Sequence, residues 1–146
     1  KRDISTEFEL VKENLLRVHT SMRDVFHDIV VVFDVSLPDY IIQSAEITMN
    51  RVPSERCFQI CPRASELVGL RIGTGFYTRL RRLFGGATGC VNLYQMLSIS
   101  APLAINVSWY VYRDRGDVDD DGMQRLIERD MAGKCIAYPP LPDDAS

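Results

Sequence analysis

Between Asp28 and Met49 apolar side chains recur at every second position, and from Cys61 onward they recur at helical spacing instead. A period of two belongs to a strand with one face in a core, and a period near 3.6 to a helix lying on one. A chain that makes this switch once, strands first, is confined to a sheet-then-helices architecture. Ile29, Val31, Phe33, Val35 and Leu37 share one side of a strand, with Asp28, Val30, Val32, Asp34 and Ser36 on the other. Leu37-Pro38-Asp39-Tyr40 reads as a turn. Ile41, Ala45, Ile47 and Met49 then share a face opposite Ser44, Glu46 and Thr48. Two weaker strands precede them, around 8–11 and 15–24, with breaks at Glu13-Asn14 and Phe26-His27. Four strands with short connections imply an antiparallel meander over 1–52 with one buried face.

In the helical half, 60–133, Pro62 suits a helix N-terminus, and Ala64, Leu67, Val68 and Arg71 space as a helix ending near Gly73. Phe76, Leu80, Leu83 and Phe84 form a second stripe, stopped by Gly85-Gly86. From Leu83 to Tyr112 no residue is charged, a run long enough to span a bilayer. Asn92, Gln95, Ser98, Ser100, Asn106, Ser108 and Pro102 interrupt it, so a core helix over 91–112 is the better account. A short helix over 121–131 follows, and the proline-rich end predicts an extended tail over 134–146. The fold class is therefore α+β, an N-terminal antiparallel β-meander followed by helices packed on one face of the sheet, in a single domain over 1–146.

With 146 residues, 46% of them hydrophobic, the chain can build a core without metal or disulfide staples. Composition excludes collagen-like, disordered and disulfide-scaffold classes. The charge is uneven. Residues 1–50 carry net −4, 51–90 net +5, 91–112 none and 113–146 net −4. A basic middle in an acidic chain points to a local anion site, with no nucleic-acid surface and no membrane span, although arginines on a solvated helix face would give the same count. Cys57, Cys61, Cys90 and Cys135 match no zinc spacing, and no signal-peptide pattern opens the chain, which predicts a reducing, cytoplasmic setting. The missing initiator Met leaves room for a segment ahead of Lys1.

Six of the nine glycines lie between 69 and 89, in two loops beside Arg71, Arg79, Arg81 and Arg82. Glycine loops can aim several N–H groups at an anion, and arginine supplies the charge. The candidate ligand residues are Arg71, Gly73, Gly75, Arg79, Arg82, Gly85, Gly86, Gly89, Cys90 and Asn92. The competing account makes these glycines helix stops and close-packing points. Neither a P-loop nor a dinucleotide fingerprint is present. A second candidate is complete as a pattern: Asp117, Asp119, Asp121, Gly122 and Glu128 fit the spacing of a calcium-binding EF-hand loop. Against it, the same acids suit the start of a helix, with Asp119, Asp120 or Asp121 as its cap and Met123, Leu126, Ile127 and Met131 as its buried stripe. His19 and His27 have no partners at metal spacing. Trp109, Tyr110 and Tyr112 lack the interleaved basic residues of a stacking platform.

Ile60-Cys61-Pro62, the run from Leu67 to Phe76, and Leu83-Phe84-Gly85-Gly86-x-x-Gly89-Cys90 followed by Leu93 and Leu97 resemble a bacterial domain-of-unknown-function family, DUF2889. His27-Asp28 and the stretch 47–53 fit the same pattern, and the resemblance covers about residues 5–112. It implies no activity. The pattern it resembles often has His where Asn92 stands and a Cys-His pair near Val107-Ser108-Trp109, so a metal or cysteine-nucleophile role does not carry over. Cysteines at a sheet–helix junction and on a later loop are also similar to iron–sulfur-scaffold and sulfur-carrier proteins, an analogy of fold only.

No catalytic set and no cofactor is assigned. The leading expectation is a small cytoplasmic binding or accessory protein that takes a small anionic ligand and forms a homo-oligomer or pairs with a protein partner. The alternative is a thiol- or metal-dependent protein using Cys61 and Cys90.

Overall fold

The structure, a computed structural model, describes residues 1–142. It is α+β. Strands β1 (Asp3–Lys12), β2 (Leu15–Arg23), β3 (Asp28–Ser36) and β4 (Ile42–Arg51) form one antiparallel sheet in the order β1-β2-β3-β4. A 3₁₀ helix (Glu55–Leu67) and helices α1 (Phe76–Phe84), α2 (Val91–Asp114) and α3 (Asp120–Met131) follow. The chain divides into two compact units, Lys1–Ile105 and the residues from Asn106 onward.

In the first unit, directly opposed residues of an antiparallel ladder share a face, so register sorts the side chains. Leu16, Val18 and Met22 of β2, and Ile29, Val31, Phe33 and Val35 of β3, are all essentially inaccessible. The opposite face is charged in rows: Asp3, Arg23, Asp28 and Arg51 stand in register, as do Glu9, Arg17, Asp34 and Ser44. Arg17 grips the Asp34 carboxylate with two hydrogen bonds, 2.8 and 2.9 Å, and Ser44 Oγ donates a third at 3.0 Å.

The alternation expected along 41–49 is broken. Val35 pairs with Ile42 and Asp34 with Ser44, so Gln43 is an extra residue in β4. A bulge of this kind flips the parity of what precedes it. Ile42, rather than Ile41, is the buried residue, while Ile47 and Met49 keep the expected face. β1 is also longer than its apolar pattern suggested, because an edge strand needs only one row of apolar contacts and can carry Glu7 and Glu9 outward.

The helix expected to start at Pro62 starts instead behind Ser54, whose side chain accepts from the Arg56 N–H, and it winds as a 3₁₀ helix. Three residues per turn stack positions i and i+3. Cys61, Ala64 and Leu67 make one ridge and Cys57, Ile60 and Arg63 the next, and the buried residues, Ile60, Ala64 and Leu67, are drawn from both. The helix stops at Leu67, and Val68 is exposed. Residues 69–72 then lie along β4: Gly69 N–H donates to Ile42 O, Ile42 N–H to Leu70 O, and Ile72 N–H to Tyr40 O.

Helix α1 buries Phe76, Leu80 and Phe84, the spacing of one helical face. In α2, Leu93, Met96, Leu97, Ala101 and Ala104 are buried in the same way within the first unit. Pro102 lies inside α2. Among the described residues no helix is long and apolar enough to cross a membrane.

In the second unit Trp109 Nε1 donates to Asp130 Oδ2 at 2.8 Å, tying the end of α2 to α3. The expected extended tail is partly a turn: Gly133 N–H donates to Tyr138 O and Tyr138 N–H to Cys135 O. The last four residues of that tail, 143–146, lie outside the described residues.

Candidate functional site

The 3₁₀ helix and the second glycine loop line a half-open cavity of about 640 Å³ in the first unit. Arg56, Cys57, Gln59, Ile60 and Arg63 form one wall, and Ala87, Thr88, Gly89, Cys90 and Val91 the other. Threefold winding puts Cys57, Ile60 and Arg63 into that wall together, since each is one turn from the next. Arg63 is held by Glu66, at 2.7 Å, and its guanidinium lies 5.9 Å from the Phe84 ring centroid. It also donates to Thr88 O at the long limit of 3.5 Å, reaching from one wall to the other.

The second wall is built by a tight reversal. Gly85 N–H donates to Arg81 O, Gly89 N–H to Gly86 O, and Cys90 N–H back to Phe84 O at 2.8 Å. At Gly89 a Cβ would fall 2.2 Å from Phe84 O and 2.5 Å from Gly85 O, so only glycine lets the backbone fold this closely. Cys90 O then accepts from Tyr94 N–H, opening α2, whose first residue, Val91, belongs to the wall.

All four cysteines are free and half-buried. Cys57 and Cys90 stand on opposite walls of the cavity. Burial pushes the Cys61 thiol above its ordinary pKa; a backbone hydrogen bond opposes this and the charge of Cys90 adds to it.

The residues singled out from sequence divide. Gly89 and Cys90 are in the cavity wall. Gly85 and Gly86 belong to the loop that leads into it. Gly75 has φ +81° and caps α1, while Gly73 stands in the preceding loop with φ +154°. Arg79 and Arg82 are exposed on α1. Arg71 is drawn elsewhere, donating to Asp39 O at 3.0 Å beside the Asp39 carboxylate. Asn92 is buried and accepts from Arg2. Sequence reasoning missed Arg56 and Arg63 as wall residues, while Cys57 is, with Cys61, one of the two cysteines it sets at the sheet–helix junction. The signal for Arg63 is its threefold spacing from Cys57 and Ile60, which a period of 3.6 passes over.

Arg2 also links this region to the β2–β3 turn. Asp24 accepts from Arg2 Nε at 2.7 Å, from the N–H groups of Phe26 and His27, and stands 3.0 Å from His27 Nδ1. Burial acts to raise the Asp24 pKa, but these donors outweigh it and hold the carboxyl far below the usual range.

In the second unit the acidic segment is a helix start. Asp119 accepts from Gly122 N–H at 2.7 Å as the N-cap of α3, Asp117 pairs with Arg115, and Glu128 lies within the helix, accepting from Gln124. Asp121 occupies the first turn. Met123, Leu126, Ile127 and Met131 are half-buried. Among the described residues no group of three or more His, Cys, Asp or Glu is placed to hold a metal ion. Asp119→Ala is expected to cost about 1 kcal/mol through the lost cap. Urea unfolding with and without millimolar Ca²⁺ checks this, the same loss being expected in both; a calcium-dependent gain confined to the parent chain would restore the ion-binding loop.

Comparison with curated proteins and with solved structures finds no match for this chain. The glycine loops, the 3₁₀ helix and the whole sheet fall inside one family model, which matches residues 2–106, and the chain belongs to that family, described as Protein of unknown function (DUF2889).

Proposed function

We propose that this chain is a binding protein that holds a small anionic ligand in the cavity between the 3₁₀ helix and the Gly85–Cys90 loop. The observation that carries the proposal is the placing of Arg56 and Arg63 in one wall opposite the first turn of α2 in the other. Two guanidinium groups supply charge and forked donors. The N-terminal N–H groups of a long helix have no intrahelical acceptors and sit at the positive end of its dipole. A volume of about 640 Å³ suits a small organic ligand better than a bare ion.

Calorimetric titration with inorganic pyrophosphate and with citrate tests the proposal. Arg56→Ala is expected to weaken binding about tenfold, as loss of one charge-assisted contact does. Arg71→Ala, which removes a guanidinium that does not line the cavity, is expected to have a smaller effect. A loss at Arg71 equal to that at Arg56 would move the site to the first glycine loop, and no heat with either anion would overturn the proposal.

A further inference from the structure

We infer that the cavity is a thiol–disulfide exchange site for anionic low-molecular-weight disulfides, with Cys90 and Cys57 as its two working thiols, an inference that rests on the anion-binding reading above. Two free cysteines from different elements stand in opposite walls of one cavity, with two arginines beside one of them. The arrangement orients a substrate. A disulfide whose anionic ends are held by Arg56 and Arg63 has its sulfurs turned toward the far wall, where Cys90 stands. Cys57 lies on the ridge of Arg63 and can approach from the anchoring side.

Exchange proceeds by attack of a thiolate on a disulfide sulfur. Cys90 gives its proton to solvent and attacks R–S–S–R, forming Cys90–S–S–R and releasing R–S⁻, which is protonated. Cys57, likewise deprotonated, attacks the Cys90 sulfur, releasing the second R–S⁻ and leaving a Cys57–Cys90 disulfide. Two protein thiols are oxidised and one small disulfide is reduced to two thiols, so atoms and electrons balance. Cys61 is not among the residues that line the cavity, and burial pushes its thiol up. Cys135, in the second unit and not among the residues that line this cavity, is an internal reference.

The test uses the reduced full chain with oxidised glutathione as the anionic probe and 2-hydroxyethyl disulfide as the neutral one, followed by acid quench and peptide mapping by mass spectrometry. The expected product is the Cys57–Cys90 disulfide. Cys57→Ser should trap glutathione on Cys90, and Cys90→Ser should leave Cys57 unmodified on that timescale. The rate preference for the anionic over the neutral probe should fall about tenfold in the Arg56→Gln, Arg63→Gln double variant. Arg56→Gln alone, at an exposed residue, reads the same preference if the double variant fails to fold. Modification of Cys135 as fast as Cys90, or a preference unchanged by the arginine substitutions, overturns the inference. Pyrophosphate binding without exchange would overturn it and leave the anion-binding proposal standing, whereas absence of both removes the two together.

Discussion

Gly89→Ala is expected to destabilise the first unit by about 3 kcal/mol, the upper end of what overpacking costs. The reason lies in what the new methyl group would meet. Phe84 O at 2.2 Å, Phe84 C at 2.4 Å and Gly85 O at 2.5 Å are all backbone atoms of the same reversal. A side chain can turn away from an intruding methyl, but three backbone atoms move only if the loop opens. Opening it stretches the Cys90 N–H to Phe84 O bond, 2.8 Å long, which sets where α2 begins and where Cys90 stands. Gly86→Ala is the comparison. Its added Cβ meets nothing within 4 Å, and only its φ of +72° is unfavourable. The left-handed backbone there costs a side chain about 1 kcal/mol. Urea midpoints of the two variants measure the difference directly, and alkylation of Cys90 should quicken in Gly89→Ala alone. Equal midpoints would mean that the reversal is not rigid and that the cavity wall does not depend on it.

Gly89 also shows how far the sequence alone could go. The glycine cluster between 69 and 89 was visible as two loops, but close packing and ligand approach leave the same residue in the chain, and only the positions of Phe84 and Gly85 distinguish them. The sheet was legible because register and period agree: β3 alternates from Ile29 to Leu37, and its partners repeat the pattern. It failed at Ile42, where one inserted residue, Gln43, changes which of two adjacent isoleucines is buried. Neither isoleucine announces this locally, because the bulge is set by pairing with Asp34 and Val35. The 3₁₀ helix was misplaced for a related reason. Its buried residues, Ile60, Ala64 and Leu67, come from two adjacent ridges of a threefold helix, and continuing a period of 3.6 past Leu67 takes in Val68 and Arg71, which the helix does not contain. The cavity arginines were lost with it. Arg71 looked free in the sequence, whereas it donates to the Asp39 carbonyl, 32 residues away in the chain.

Asp34→Asn is expected to lower stability at pH 7 by roughly 1–3 kcal/mol, toward the low end because Arg17 stays half exposed and its charge is partly screened. The amide keeps the size of the carboxylate but cannot accept both Arg17 bonds together with that of Ser44 Oγ. The same contacts make the chain sensitive to acid. Donation by Arg17 holds the Asp34 pKa below its ordinary value, against the opposing effect of burial and with help from Ser44. Asp24 is depressed further, its burial outweighed by Arg2, His27 and two backbone donors. A carboxyl whose pKa is lower folded than unfolded binds fewer protons in the folded state, so its contribution is complete above the unfolded pKa, about 4. It is lost as the pH falls from there through the folded values. Urea midpoints should therefore hold steady from pH 7 to about 5 and decline below about 4. In Asp34→Asn the midpoint starts lower and declines less steeply, because one depressed carboxyl is gone; Asp24→Asn should flatten the acid limb more, since its pKa is the more displaced. Parallel curves for the parent and both variants would show that other carboxylates carry the acid response and that neither cluster is stronger folded than unfolded.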